Sequence, residues 1–462
     1  AFTRIPDRYV AYDQGEISTN TDWLDLIVGD RAGTWSSNVA VSGGGQDFSY
    51  YLSGGVQQQD GIVEGSAFDR YSLHSSIEST PVDRLTIGAD LNLSLSLQDR
   101  EPANAPYFAR PPGIIYSALV HSPVVPPRDP DGSLNQSGPD AQSFLGEGTT
   151  SASNPLAIQR AVQEDLDHHR TFGTTYAEID LGYDLTFKSL FGADLSDYTR
   201  SFYRGRELLY RTSSEPEPYA QSNSSRSFNW VIENTLRYSR TFDEVHSVDV
   251  LAGVTAQEER NDFSQTFAQN FPIDAVPTIS GGQVTDGTSI AEEWSLLSGL
   301  TRVNYNYDGK YLITAALRAD KASRFGPDNR TGVFPSASVG WRIAEESFMD
   351  AVPQINAMKL RVSYGQTGNF QIPNYGSFSN LRFENYVQGQ TQNVLTGVEP
   401  QDLGDPGLTW ETTEEINLGL DVGLFDDRIR FAADAYRSTT SDLLLNVSVP
   451  GASGYETVLT NI

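Results

Sequence analysis

From Arg84 to Gln98 the chain reads Arg-Leu-Thr-Ile-Gly-Ala-Asp-Leu-Asn-Leu-Ser-Leu-Ser-Leu-Gln. Every odd position from Leu85 to Leu97 is apolar, and every even position between them is polar or glycine. A period of two held this long is incompatible with a helical stripe and specifies an extended strand. In that strand Leu85, Ile87, Ala89, Leu91, Leu93, Leu95 and Leu97 share one face. Thr86, Asp90, Asn92, Ser94 and Ser96 share the other. The strand would be about 40 Å long, roughly twice the usual length in a soluble sandwich. Oily on one side and wet on the other, it suits a wall between lipid and a water-filled lumen.

The pattern recurs with a few interruptions. Phe228, Trp230, Ile232, Leu236 and Tyr238 alternate with polar residues, with Val231 and Asn234 out of phase. Val248, Val250, Ala252, Val254 and Ala256 follow, with Leu251 as the exception. Ala337 to Ile343, Ile416 to Leu424 and Ile429 to Ala435 repeat it. One such strand proves little, since any half-buried sheet makes one. A series, with aromatic residues near the strand ends, points to an all-β, antiparallel transmembrane barrel. About fourteen strands are expected.

No run of 18 apolar residues is present, so no membrane helix is expected; a barrel escapes that test because only alternate residues meet lipid. Cysteine is absent, which removes thiol catalysis, disulfides and thiolate metal sites. The net charge of −28 argues against nucleic acid as a partner and fits solvated loops and a hydrated lumen. No signal-type apolar core opens the chain, and both ends read as cut, so a fragment is expected.

Residues 1–35 lack alternation and read as a linker; residues 36–462 read as part of a barrel. Strands are expected at Phe48 to Gln59, Phe68 to Thr80 and Arg84 to Gln98, with a turn at Pro81-Val82-Asp83. Residues 99–167 break the pattern with Pro102, Pro106, Pro111, Pro112, Pro123, Pro126, Pro127 and Pro130, as expected of a functional loop. Asn154-Pro155 predicts a capped helix over Leu156 to Val162, and Pro112 a second helix towards Val120. Irregular stretches are expected at about 261–291 and 370–410. Short turns opposite long loops are the asymmetry of outer-membrane barrels.

One hairpin can be read in more detail. Val303, Tyr305 and Tyr307 precede Asp308-Gly309, and Tyr311, Ile313, Ala315 and Leu317 follow it. The two apolar rows share a face only if the loop has an odd number of residues. A three-residue loop, Tyr307-Asp308-Gly309, with Gly309 in the left-handed position of a bulge, meets that requirement.

Candidate chemistry is sparse. Ser72, His74 and Ser76 share a polar face, but a Ser–His hydrolase also needs an orienting acid and an oxyanion hole, so a lumen row is the plainer reading. His168 and His169 point opposite ways in a strand and chelate one metal poorly. Asp129-Pro130-Asp131-Gly132-Ser133 begins like a calcium loop, yet Leu134 stands where glycine is needed and Asp140 where a bidentate Glu is needed. A tight turn fits better, and a calcium site of another type stays open. Gly43-Gly44-Gly45 lacks the Lys and helix of a phosphate loop and reads as a hairpin turn. Tyr107, Phe108 and Tyr116 in the long loop are candidates for stacking on sugar rings. No cofactor, metal site or catalytic group is expected.

Several segments resemble the SusC/RagA class of TonB-dependent outer-membrane transporters. Val41-Ser42-Gly43-Gly44, Ser49 to Gly55, Asp60-Gly61-Ile62-Val63 and Phe68 to Leu73 are similar to that family's first barrel hairpins. Arg318-Ala319-Asp320, Ser323-Arg324-Phe325-Gly326 and Gly332-Val333-Phe334-Pro335-Ser336 through Gly340-Trp341-Arg342 resemble its most specific barrel segment. Ser363 to Asn369, Leu408-Thr409-Trp410-Glu411, Asp129 to Gly132 and Asn154-Pro155-Leu156-Ala157 extend the likeness. The resemblance covers nearly the whole chain from Trp23. It implies a parent barrel of about 22 strands around an N-terminal plug, with the plug and the last barrel strands outside this chain. It also implies TonB-driven import of glycan or peptide fragments across the bacterial outer membrane, with a SusD-like surface lipoprotein as lid. Loops 99–167 and 370–410 would meet the substrate and the lid. A passive porin or surface adhesin would share the barrel signal but not the ordered segments.

Overall fold

The structure is a computed structural model that describes residues 12–15, 18–102, 113–135, 153–208, 218–388, 393–455 and 457–462. Its strands are β1 (Thr34–Gly44), β2 (Phe48–Asp60), β3 (Ala67–Val82), β4 (Leu85–Asp99), β5 (Val162–Gly182) and β6 (Leu185–Arg204). Then follow β7 (Tyr219–Phe242), β8 (His246–Gln269), β9 (Gln283–Tyr307), β10 (Tyr311–Ala322), β11 (Thr331–Arg342) and β12 (Ile355–Asn369). Strands β13 (Asn380–Gln388) and β14 (Asn393–Asp402) form a separate hairpin. The main sheet resumes with β15 (Glu411–Leu424) and β16 (Ile429–Ser441), and β17 (Leu444–Ser448) pairs with β18 (Thr457–Asn461). The main sheet has 14 antiparallel strands in chain order, the number expected, and its order skips only the β13–β14 hairpin.

Register shows why the alternation matters. Val248 pairs with Tyr305, Tyr305 with Ile313, Ile313 with Val339, Val339 with Val362, Val362 with Leu418 and Leu418 with Ala435. This apolar row crosses seven strands on one face. One residue along, Asp249, Asn304, Thr314, Ser338, Ser363 and Asn417 form a matching row on the other face. A slip of one residue in any strand would exchange the two faces. The apolar face stays open: Val254 is 54% exposed, Val339 52% and Leu418 50%. At one end of this face Tyr307, Tyr311 and Trp341 stack in sequence, the aromatic edge expected where a barrel leaves the membrane.

The two ends of the sheet differ. At one end the connections are mostly tight, at 45–47, 83–84, 183–184, 243–245, 308–310 and 425–428. Tyr183 and Asp184, Asp243 and Glu244, and Asp308 and Gly309 all adopt positive φ. Paired left-handed residues give the turn whose twist matches that of the strands. At the other end lie 100–161, 205–218, 270–282 and 370–410.

Several expectations need correction. The Asp308 loop has three residues, but they are Asp308, Gly309 and Lys310: Tyr307 pairs with Tyr311 and Tyr305 with Ile313. Asp308 joins Gly309 in the left-handed region (φ 51° and 67°), which lets Tyr307 stay in the strand. The first strand begins at Thr34, and the β3–β4 turn is Asp83-Arg84 because Pro81 and Val82 remain extended. The stretch 261–291 is mostly strand, since β8 runs to Gln269 and β9 starts at Gln283. The stretch 370–410 holds the β13–β14 hairpin. Residues 18–33 are packed rather than a bare linker, with Trp23 and Ile27 almost fully buried.

Every buried apolar side chain among the described residues lies at the long-loop end. The first cluster joins Trp23, Ile27, Ile114, Val125, Ile158 and Phe202. It is built by the segment before β1 and by two short helices, α1 (Ile114–Val120) and α2 (Pro155–Ala161). Asn154 caps α2 as its sequence predicts: its side-chain oxygen accepts from the Leu156 N–H (3.0 Å), with Pro155 in the first turn. Its amide donates to the carbonyls of Pro127 (3.0 Å) and Asn135 (2.8 Å), fixing the long loop to the helix. The second cluster joins Phe325, Phe334, Ile372, Leu408 and Trp410.

Candidate functional site

The chemistry-bearing surface is the polar face and its opening at the long-loop end. Along the spanning part of that face, charges occur in cross-strand pairs. Arg361 bridges Asp421 (2.9 Å) and Asp434 (3.0 Å), Arg237 meets Asp249 (2.6 Å) and Arg170 meets Asp194 (2.6 Å). Thr314 donates to Asn304 (2.9 Å), and Asn304 to Asp249 (3.3 Å). Such ladders hold a polar surface in register. Tyr176 lies across Gly88, where any Cβ would collide with the ring, and its hydroxyl donates to Glu78 (2.5 Å).

The residues singled out in the sequence fall into these surroundings. His74 Nδ1 lies 2.8 Å from Asn92 Oδ1, and its ring packs near Tyr51 in the polar row. His168 Nε2 contacts Ser196 Oγ (2.8 Å). Among the described residues no three His, Asp or Glu side chains cluster as metal ligands. Asp129 to Ser133 form a tight turn: the Gly132 N–H donates to Asp129 O (2.9 Å) and the Ser133 hydroxyl to Asp131 Oδ1 (2.6 Å), with Gly132 at φ +88°. The Ser133 hydroxyl and N–H hold the Asp131 carboxyl below its ordinary range. Tyr116 sits on α1, about one-third exposed at the edge of the first cluster. Tyr107 and Phe108 lie outside the described residues.

Other participants gave little signal in the sequence. The Trp23 indole donates to Ser122 O (2.9 Å) and packs against His121 at 4.2 Å, tying the segment before β1 to the long loop. Burial pushes the His121 imidazole down to about 4. Nearby in sequence, burial pushes the Glu101 carboxyl up to about 8. The Arg324 guanidinium lies over the adjoining rings of Trp294 (4.9 Å) and Phe370 (5.5 Å) while its Nε donates to Asn374 (3.0 Å). It thereby clamps the start of 370–410 onto β9. The β13–β14 hairpin exposes Leu381, Phe383, Val387, Val394 and Val398. The register puts these five on one face.

Comparison with known proteins agrees with this geometry. Residues 122–462 match the family described as TonB dependent receptor-like, beta-barrel. The chain is 31% identical to TonB-dependent receptor P39 of Formosa agariphila over 432 residues, covering 92% of this chain and 39% of that protein. It is 26% identical to TonB-dependent receptor SusC of Bacteroides thetaiotaomicron over 468 residues, covering 96% of this chain and 44% of SusC. The chain thus spans less than half the length of these two relatives. Among solved structures, the RagAB peptide transporter superimposes with a TM-score of 0.78 at 25% identity, over 99% of this chain and 51% of that one.

Proposed function

The chain belongs to the TonB-dependent receptor-like β-barrel family, and from that premise we propose that it forms part of the wall of an outer-membrane importer of nutrient oligomers. The observation that carries this reading is the division of the sheet. From Val250 to Val254 on β8, and along the same rows of β7, β9, β10 and β11, the apolar face holds no charged side chain; Arg240 opposite Val248 and Lys321 in the Ala256 row mark its two borders. The opposite face is ion-paired and hydrated. A lipid contact on one side and a lumen on the other satisfies both. The protein's work is transport, with TonB supplying energy through a part outside this chain.

The short-turn end is then periplasmic and the long-loop end extracellular. Strand β1 runs from the long-loop end towards the short turns, because Thr34 pairs with Gln59 and Gly44 with Ser49. Residues 18–33 therefore lie on the extracellular side. We assign the substrate, a glycan or peptide oligomer, to the opening of the polar face. Loop 99–167, with Tyr107, Phe108 and Tyr116, is assigned to its capture. The exposed apolar hairpin β13–β14 is assigned to the SusD-like lipoprotein lid, an attribution supported by five exposed apolar side chains on one face at the long-loop end.

The test is purification of the full-length protein from detergent-solubilised outer membranes, combined with uptake measured with and without TonB. A stoichiometric lipoprotein and TonB-dependent uptake are expected. A homotrimer with no lipoprotein and TonB-independent leak would replace the importer with a passive porin.

A further inference from the structure

Strands β7, β8 and β9 have 24, 24 and 25 residues, whereas about 9–11 suffice to span a bilayer. Beyond Ala256 the formerly apolar face of β8 carries Glu258, Arg260, Asp262, Ser264 and Thr266. The upper half of these strands therefore stands in water as a tall wall. On the polar face at the top of this wall, Arg204, Tyr219 and Gln269 share one cross-strand row. They line a cavity of 840 Å³ together with Arg206, Phe267, Pro272 and Asp286.

The lining combines two chemistries. The Arg204 guanidinium lies over the Tyr219 ring at 5.0 Å, and Phe202 packs on the same ring at 5.1 Å. Arg206 is exposed, and its Nη1 donates to the backbone carbonyls of Phe271 (2.8 Å) and Pro272 (2.6 Å). These neutral acceptors orient the guanidinium without cancelling its charge. One carboxylate, Asp286, lines the cavity, and one of its oxygens is held by the Gly287 N–H (2.8 Å). Among the described residues the lining holds two arginines and one aspartate, in a chain of 32 basic against 60 acidic residues, and the Asp274 carboxylate stands beside it, accepting from the Arg206 backbone N–H (3.1 Å). A cavity in the mouth of a barrel, with apolar walls and oriented polar groups, has the make-up of a ligand site.

We infer that this cavity is a subsite for a carboxylate-bearing unit of the imported oligomer, with Arg206 as the reachable partner of the carboxylate and Tyr219 and Phe267 as its apolar wall. Guanidinium pairs with carboxylate through two parallel hydrogen bonds, which a neutral ester or amide cannot reproduce. The subsite rests on the importer reading above and adds the charge class of the cargo. A uronic-acid sugar and a peptide carboxylate share this chemistry.

The test uses full-length protein in detergent and calorimetric titration with two matched pairs. One pair is tetragalacturonate and its methyl ester; the other is a tetrapeptide with a free and with an amidated C-terminus. In at least one pair the acid should bind about tenfold or more tightly than its neutral partner, and the pair that does so identifies the source. Arg206→Gln should abolish that preference, and Arg206→Lys should keep part of it. Because Arg206 also braces a loop, Thr285→Asp provides a second variant that adds negative charge at the exposed rim. It should weaken the acid and leave its neutral partner unchanged. Equal binding within both pairs, or none, overturns the subsite, as does a preference that survives both Arg206→Gln and Thr285→Asp. TonB-dependent uptake that persists without acid preference would remove only the subsite. Loss of TonB dependence in the wild type would remove the importer reading itself.

Discussion

The two halves of β8 lie in one strand and on one face, yet they follow opposite rules. From Val248 to Ala256 the face is apolar and open; from Glu258 to Thr266 it is charged or hydroxylated and equally open. Backbone pairing continues unchanged through both, apart from a shift at Phe267/Ala268. The difference extends to the whole molecule. Its apolar stripes cover no protein core, while its buried clusters sit among loops at the far end. Cohesion is thus divided, with hydrogen-bonded ladders in the spanning band and apolar packing in the loops. In the band, lipid takes the place of a core. In the loops, water surrounds the chain and only burial can order it.

If the ends are held by different forces, they should fail separately. The largest expected effect is at the loop end. Trp410 packs on Phe325 and Phe334 and donates to Arg330 O (3.1 Å). Trp410→Ala should cost the second cluster about 3–5 kcal/mol. Limited proteolysis should then accelerate in 323–330 and 370–410 while the heat-modifiable gel shift of the barrel stays intact. Loss of that shift would show that the ends are coupled. Next comes the band itself. Val254→Arg should cost about 2–4 kcal/mol in a urea titration in lipid, whereas Ser264→Arg on the same face should stay within about 0.5 kcal/mol. Equal costs would erase the division of β8.

A smaller effect is reserved for pH. Glu101, raised to about 8 from an ordinary 4.5, favours its neutral form in the fold, so the loop end gains stability as pH falls from 8 towards 4.5. His121, lowered to about 4 from 6.5, also favours its neutral form, and stability is lost as pH falls from 6.5 towards 4. Amide protection in 18–33 and 114–125 should peak between these limits. Glu101→Gln should flatten the alkaline flank and His121→Phe the acid flank; a flat wild-type profile from pH 4 to 8 would refute both. The smallest effect is at the turns. Gly309→Ala places a side chain at φ +67° and should cost about 1 kcal/mol, read as a lowered urea midpoint.

The sequence made the band legible because a period of two survives wherever one face meets lipid. It made the strand extensions illegible for the same reason: above the band both faces are wet, so Glu258 to Gln269 carries no alternation although its backbone is fully paired. The α2 cap was readable because Asn154-Pro155 acts locally. The frame of the Asp308 loop was missed by one residue, since either Gly309 alone or Asp308 with it could turn left-handed. The cavity was not readable at all. Arg204, Tyr219 and Phe267 meet only through register across three strands.

The strand order carries a consequence for biogenesis. Each strand of the main sheet pairs with its predecessor in the chain, with one hairpin set aside between β12 and β15. Loop-closure cost therefore stays low at every step except the two that span long loops, 100–161 between β4 and β5 and 370–410 between β12 and β15. Such a wall can be laid down one hairpin at a time, each finished strand offering its free edge as the template for the next. The steps most exposed to error are the joining of β5 to β4 and of β15 to β12. Slow insertion, or capture of the edge by another chain, should concentrate there.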